Sequence, residues 1–154
     1  MRIMTYRSIK DDEVMIMAAC LRIGQNGSFV DNLFSGGCFV PIDVHTGKLG
    51  RVLYNRYWQT QSEMNGVDFV NNEFVLPFWN NATNFAKSVA SQVPHARLLA
   101  QDIIVDKSDK PRLIEFNVDD FDWSMAMACT CDVPFGNKFD EVIEYCLKHK
   151  NNIA

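Results

Sequence analysis

Residues 96–118 read Ala96-Arg97-Leu98-Leu99-Ala100-Gln101-Asp102-Ile103-Ile104-Val105-Asp106-Lys107-Ser108-Asp109-Lys110-Pro111-Arg112-Leu113-Ile114-Glu115-Phe116-Asn117-Val118. Two apolar runs, Ala96 to Asp106 and Pro111 to Val118, read as strands, with Lys107-Ser108-Asp109-Lys110 as the turn between them. Setting Asp106 opposite Pro111 places Asp102 opposite Glu115 and Ala100 opposite Asn117. Residues directly opposed in an antiparallel pair share a face, so Asp102, Glu115 and Asn117 point the same way. Opposed Cβ atoms lie roughly 5 Å apart. Two carboxylates at that spacing repel, and apolar neighbours such as Ile103, Ile104, Ile114 and Phe116 raise the penalty on their charges. A hard divalent cation offsets that repulsion, and oxygen donors from Asp, Glu and Asn suit magnesium, which completes its shell with water and phosphate oxygens. The competing reading is a solvent-facing acidic pair, with one member protonated or paired with arginine.

Working outward, Ala82, Phe85, Ala86, Val89, Ala90 and Val93 recur at helical spacing and stop before Pro94. Phe139, Val142, Ile143, Cys146 and Leu147 repeat the pattern near the C-terminus. Toward the N-terminus, Arg2 to Tyr6 and Glu13 to Ile23 read as strands joined at Lys10-Asp11-Asp12. The second is apolar on both faces, as in a strand covered on both sides. It ends at Arg22, where a charge beside apolar neighbours needs a partner. The loop Gly24-Gln25-Asn26-Gly27-Ser28 follows. Cys38 to Val44 and Leu49 to Tyr57 read as a further strand pair, and residues 59–72 as a polar surface loop. The predicted fold is α+β: one antiparallel sheet with helices packed on one face.

The bulk composition bounds the function. In 154 residues, 47% are hydrophobic and 22% charged, the balance of one ordinary globular domain. A net charge of -4 gives no footprint for nucleic acid or an anionic membrane. No run approaches the roughly 20 apolar residues of a membrane span, and Met1 to Thr5 form no signal-peptide core. Five scattered cysteines, an odd number, are expected reduced, as in a cytoplasmic protein. Cys129-Thr130-Cys131 has a suggestive spacing, but no second pair completes a tetrahedral zinc set.

Asp102 followed by Glu115-Phe116-Asn117 resembles the signature that closes the ATP-grasp fold, where these residue types hold two magnesium ions against ATP phosphates. Arg22 and the segment Asp31-Asn32-Leu33-Phe34-Ser35-Gly36-Gly37 resemble the Arg, Asn and Gly-Gly stretch that precedes it. Ile42 to Leu49, Leu76-Pro77-Phe78-Trp79 and Arg97 also fit. The pattern is most similar to the sugar-transfer-associated ATP-grasp subfamily, found with bacterial polysaccharide genes, and spans roughly residues 2 to 148. The resemblance implies an ATP-dependent carboxylate–amine or carboxylate–thiol ligase acting on a small-molecule carboxylate. It implies ATP and Mg2+ as cofactors, with Asp102, Glu115 and Asn117 as metal ligands. Arg22 would stabilise charge on the transferred phosphoryl group, Asn32 would orient phosphate or acyl oxygen, and Gly36 and Gly37 would bring backbone N–H groups to an anion.

The sequence also departs from the pattern. Gln101 stands where relatives usually show Trp, residues 61–66 lack a His-Pro element, and the stretch after Asn117 is acidic. An ATP-grasp unit grips ATP between two α+β subdomains, and the chain is expected to be one domain holding the C-terminal one, with the N-terminal subdomain absent. It is therefore expected to be inactive alone, its other half either lost by truncation or supplied by another chain. The alternative is a non-enzymatic binding module that dimerises through the surface a missing subdomain would cover. A hydrolase using Asp102 and Glu115 as acid and base is the weaker rival, since no aromatic-lined cleft is legible.

Overall fold

The computed structural model describes residues 1–26, 36–119 and 121–150. Among them the chain forms β1 (Arg2–Arg7), β2 (Val14–Ile23), β3 (Cys38–Pro41), β4 (Leu53–Tyr54), β5 (Thr60–Gln61), β6 (Glu63–Met64) and β7 (Val67–Asp68). Helix α1 (Trp79–Ser91), strands β8 (Leu98–Val105) and β9 (Pro111–Asn117), and helices α2 (Trp123–Thr130) and α3 (Phe139–His149) follow. One antiparallel sheet runs in the order β5-β4-β3-β2-β1-β8-β9, and β6 and β7 form a separate hairpin. The chain is thus α+β with an antiparallel sheet.

The two central strands explain the layering. Along β1, Ile3 packs with Ala19, Ile103, Trp79, Ala82 and Ala86, which is the α1 side of the sheet. Alternation turns Met4 and Tyr6 the other way, onto Ala18, Ala100, Ala126 and Phe135 beneath α2 and the segment leading to α3. Helices therefore cover both faces, which corrects the expected one-sided packing. The reason lies in β1 and β2, apolar on both faces, which need a cover on each side. Helix α2 escaped the sequence reading because Trp123 to Thr130 is apolar nearly all round, so no stripe marks its buried face. Asp122 caps it, its Oδ1 accepting the Met125 N–H at 3.0 Å. Cys131 ends it in the left-handed region (φ 52°).

Residues 59–72 are not only a polar loop. Met64 and Phe69 are buried in the α1-side core, anchored by the β6–β7 hairpin. The β3–β4 pairing is also shorter than the expected strand pair, a ladder at Phe39–Tyr54 with an isolated bridge at Ile42–Leu49.

The hairpin that carries the acids has a register of its own. Val105, not Asp106, stands opposite Pro111, and Asp106 donates its N–H to the Lys110 carbonyl at 3.0 Å. Asp109 takes a positive φ of 57°, the left-handed residue of a three-residue hairpin loop. A bulge between Asp102 and Ile103 absorbs Ile114 and restores the pairing Asp102–Glu115, Gln101–Phe116 and Ala100–Asn117.

Candidate functional site

Asp102 sits where β8 passes from core to site. It is 8% exposed and lies on the α2 side of the sheet, directly opposite Arg2 of β1 and Glu115 of β9. Both its oxygens are engaged. Arg2 donates from Nε to Oδ1 and from Nη2 to Oδ2, each at 2.9 Å, and Arg22 donates from Nη1 to Oδ2 at 3.0 Å. The bidentate geometry suits the fixed guanidinium fork. Burial pushes the Asp102 carboxyl up, but the Arg2 hydrogen bonds and the charges of Arg2, Arg22 and the N-terminus outweigh it and hold the group below the usual carboxylate range. The same hydrogen bond, opposed by burial, raises the Arg2 guanidinium, and the Glu115 charge adds to the rise.

Arg22 reaches this cluster from β2. Its strand position is opposite Phe39, two residues past the Cys20–Pro41 pair, which puts it diagonal to Arg2. The N-terminus closes the row, the Met1 ammonium donating to the Ile103 carbonyl at 2.7 Å. Met1, Arg22, Asp102, Ile104, Ile114 and Glu115 line one open pocket of about 200 Å³. Glu115 is exposed on the edge strand, and Asn117, half-buried, stands opposite Ala100 and so on the same face as Asp102.

The structure thus brings together Arg22, Asp102 and Glu115, while Asn117 shares their face but stands farther along β9, outside the pocket lining. Gly36 and Gly37 lead into β3, whose Cys38 pairs with Ile23, so they lie at the Arg22 end of the ladder. Gly36 has a φ of +84°, the left-handed region that favours glycine, and Gly37 is buried. Asn32 lies outside the described residues. Arg97, also noted in the sequence, lies elsewhere: it donates to Asp12 Oδ1 at 2.8 Å and to the Ser8 carbonyl at 2.7 Å.

One participant was missed in the sequence. Arg2 is the main partner of Asp102, and only the β1–β8 pairing reveals it. Farther along the sheet, Trp58 is 43% exposed with a positive φ of 63°. Its ring meets Phe39 edge-on at 5.8 Å and lies 6.1 Å from Tyr54. Phe39 and Tyr54 stack at 5.3 Å, continuing the row from Arg22.

The donor set suits a hard cation. Asp102 and Glu115 offer carboxylate oxygens from opposed positions on adjacent strands, and magnesium takes only one or two carboxylates beside water and phosphate. A carboxylate has about four lone-pair positions. The three bonds to Asp102 use two on Oδ2 and one on Oδ1, which leaves a position on Oδ1. No group of three or more His, Cys, Asp or Glu residues gathers among the described residues. An ion here would therefore need Asn117, water or a ligand to complete its shell.

A family model for sugar-transfer-associated ATP-grasp proteins matches residues 1–130. The chain belongs to this family. Its function at family level is ATP-binding and ligase-like, with a small-molecule substrate, and ATP-grasp proteins generally bind ATP with Mg2+. No curated protein and no solved structure matches the chain significantly. No helix among the described residues is long and apolar enough to cross a membrane.

Proposed function

We propose that the chain is the Mg-ATP-binding, C-terminal half of an ATP-dependent carboxylate–amine or carboxylate–thiol ligase, cytoplasmic and linked to polysaccharide biosynthesis. The observation that carries this is the pairing of Asp102 with Glu115 on one face while Arg2 and Arg22 grip Asp102. Acids and guanidinium groups side by side are what a polyphosphate with its counter-ion needs: oxygens for the ion, fixed donors for the phosphates.

Asp102, Glu115 and Asn117 would hold magnesium, which when bound supplies charge neutralisation for phosphoryl transfer. Arg22 orients and neutralises phosphate oxygens, its direction set by the Asp102 contact. Arg2 holds the Asp102 carboxylate in place and keeps it ionised. Gly36 and Gly37 let the chain approach an anion closely, and Asn32 would orient phosphate or acyl oxygen. One α+β unit encloses nucleotide from one side only, so the reading includes a second subdomain or chain that completes the grip. Titration calorimetry with ATP tests this: binding should require Mg2+ and weaken in E115Q. ATP hydrolysis by the pure chain should stay at background, and turnover above it would contradict the incomplete-site reading.

A second reading rests on β9. It is the sheet edge, and Ile114 and Phe116 on it, with neighbouring Ile104, are exposed. An unpaired apolar edge is a template for another strand. A tight dimer in light scattering that binds no Mg-ATP would favour a non-enzymatic dimerisation module.

A further inference from the structure

Three sulfur atoms converge on the opposite side of Arg2 from Glu115, and no part of the proposed ATP chemistry uses them. Cys20 is buried in β2, directly opposite Arg2. Helix α2 lies over it, and the four-residue spacing of Met125 and Cys129 puts both on one helix face. The Cys20 thiol donates to Met125 Sδ at 3.5 Å. Cys129 packs against the Cys20–Met125 pair. The three residues line a gap with Arg2, Met4, Ala18 and Ala126 that has no space for a water molecule.

We propose that Cys20, Met125 and Cys129 form a binding site for a soft monovalent metal ion of the copper(I) class. Two thiolates and a thioether are donors that select such an ion, whereas magnesium and calcium require oxygen ligands. Zinc is disfavoured because it takes four ligands and the gap supplies three. Three sulfurs each about 2.3 Å from a central ion lie roughly 4 Å apart, and Cys20 Sγ and Met125 Sδ already stand 3.5 Å apart. Binding replaces the two thiol protons, which leave to solvent. The ion and two thiolates together carry one negative charge, which the Arg2 guanidinium offsets. The environment favours ionisation at Cys20, whose pKa is lowered by Cys129 beside it against burial, with the N-terminus, Arg2 and Arg22 adding to the lowering; Cys20 and burial push the Cys129 thiol up, so its proton leaves only as the ion binds. An ion held here would tie α2 to β2.

The test uses the full chain with C131S and C146S, which removes the two exposed thiols. Copper(I) is titrated anaerobically in ascorbate against the chelator bicinchoninate. The site predicts one tightly held equivalent, a thiolate-to-copper charge-transfer band in the near ultraviolet, and three sulfur scatterers in X-ray absorption. Adding C129S should abolish that equivalent. M125L, which conserves volume, should keep the stoichiometry and weaken affinity at least about tenfold. Failure of the C131S/C146S protein to hold one equivalent, or unchanged binding in folded C129S, overturns the proposal. Should C129S fail to fold by circular dichroism, the sulfur count in the C131S/C146S protein decides alone.

Discussion

Asp102 of β8 stands directly opposite Arg2 of β1, and two parallel hydrogen bonds of 2.9 Å join carboxylate to guanidinium. With Arg22 added, one nearly buried acid organises two basic side chains from two strands. Its removal therefore disturbs both guanidinium groups.

Replacing Asp102 with Asn should destabilise the fold by about 2 kcal/mol, because two partly buried guanidinium groups lose their counter-charge. Glu115 is exposed on the edge strand, so E115Q should change stability by no more than about 0.5 kcal/mol while weakening Mg-dependent nucleotide binding. Urea unfolding followed by circular dichroism separates the two effects.

The Asp102 clamp also sets a pH dependence. Its folded pKa is depressed, so its contribution is fully present above the unfolded value of about 3.9 and is lost as pH falls through the lower folded value. Glu141 acts in the same sense. Burial raises its pKa, but hydrogen bonds from Tyr6 Oη at 2.7 Å, Ser8 Oγ at 3.2 Å and the Ile9 N–H at 3.1 Å outweigh that and lower it. Stability should be flat near neutrality and fall below about pH 4. D102N should show a shallower acid slope, read from unfolding free energies between neutral and acid pH.

Gly47 is the glycine the fold needs most. Its φ is +73°, and an added Cβ would lie 2.6 Å from both Cβ and Cγ of buried Trp79. Trp79 begins α1 and donates from Nε1 to the Val44 carbonyl at 3.1 Å, so it has little room to yield. G47A should destabilise by about 2–4 kcal/mol, from backbone strain and overpacking together. G66A, with a similar φ but open space around it, should lose only the backbone part, about 1 kcal/mol. Thermal unfolding of the pair isolates the steric share.

Gln101 marks another local conflict. It is fully buried under α1, and its Nε2 donates to Thr5 Oγ1 and the Ala86 carbonyl, each at 3.1 Å. Its Oε1 is buried with no hydrogen-bond partner. Q101M removes that orphaned acceptor at similar volume and should leave stability unchanged or raise it by up to about 1 kcal/mol. A loss above that size in urea unfolding would show that the Thr5 contact outweighs the orphan.

Much of the hairpin was legible because side-chain alternation is a strict period of two. Asp102, Glu115 and Asn117 had to share a face once their strands paired, although the assumed turn register was off by one. The bulge that corrected it has no sequence mark, since Ile114 is as good a strand residue as its neighbours. Arg2 was invisible as a partner because pairing between β1 and β8 spans 100 residues of chain. The second helical layer was missed for a similar reason: α2 is apolar on every side, so period gave no direction. Met64 and Phe69 sit among polar neighbours, and only the β6–β7 hairpin turns them inward.

A nucleotide-bound ion is predicted to rest on the face shared by Asp102 and Glu115. Paramagnetic broadening of backbone amide resonances by Mn2+–ATP reads this directly and detects weak binding. Signals of Asp102, Glu115 and Asn117 should broaden first, and E115Q should remove the effect. Broadening centred elsewhere, or none at these three residues under saturating Mn2+–ATP, would contradict it.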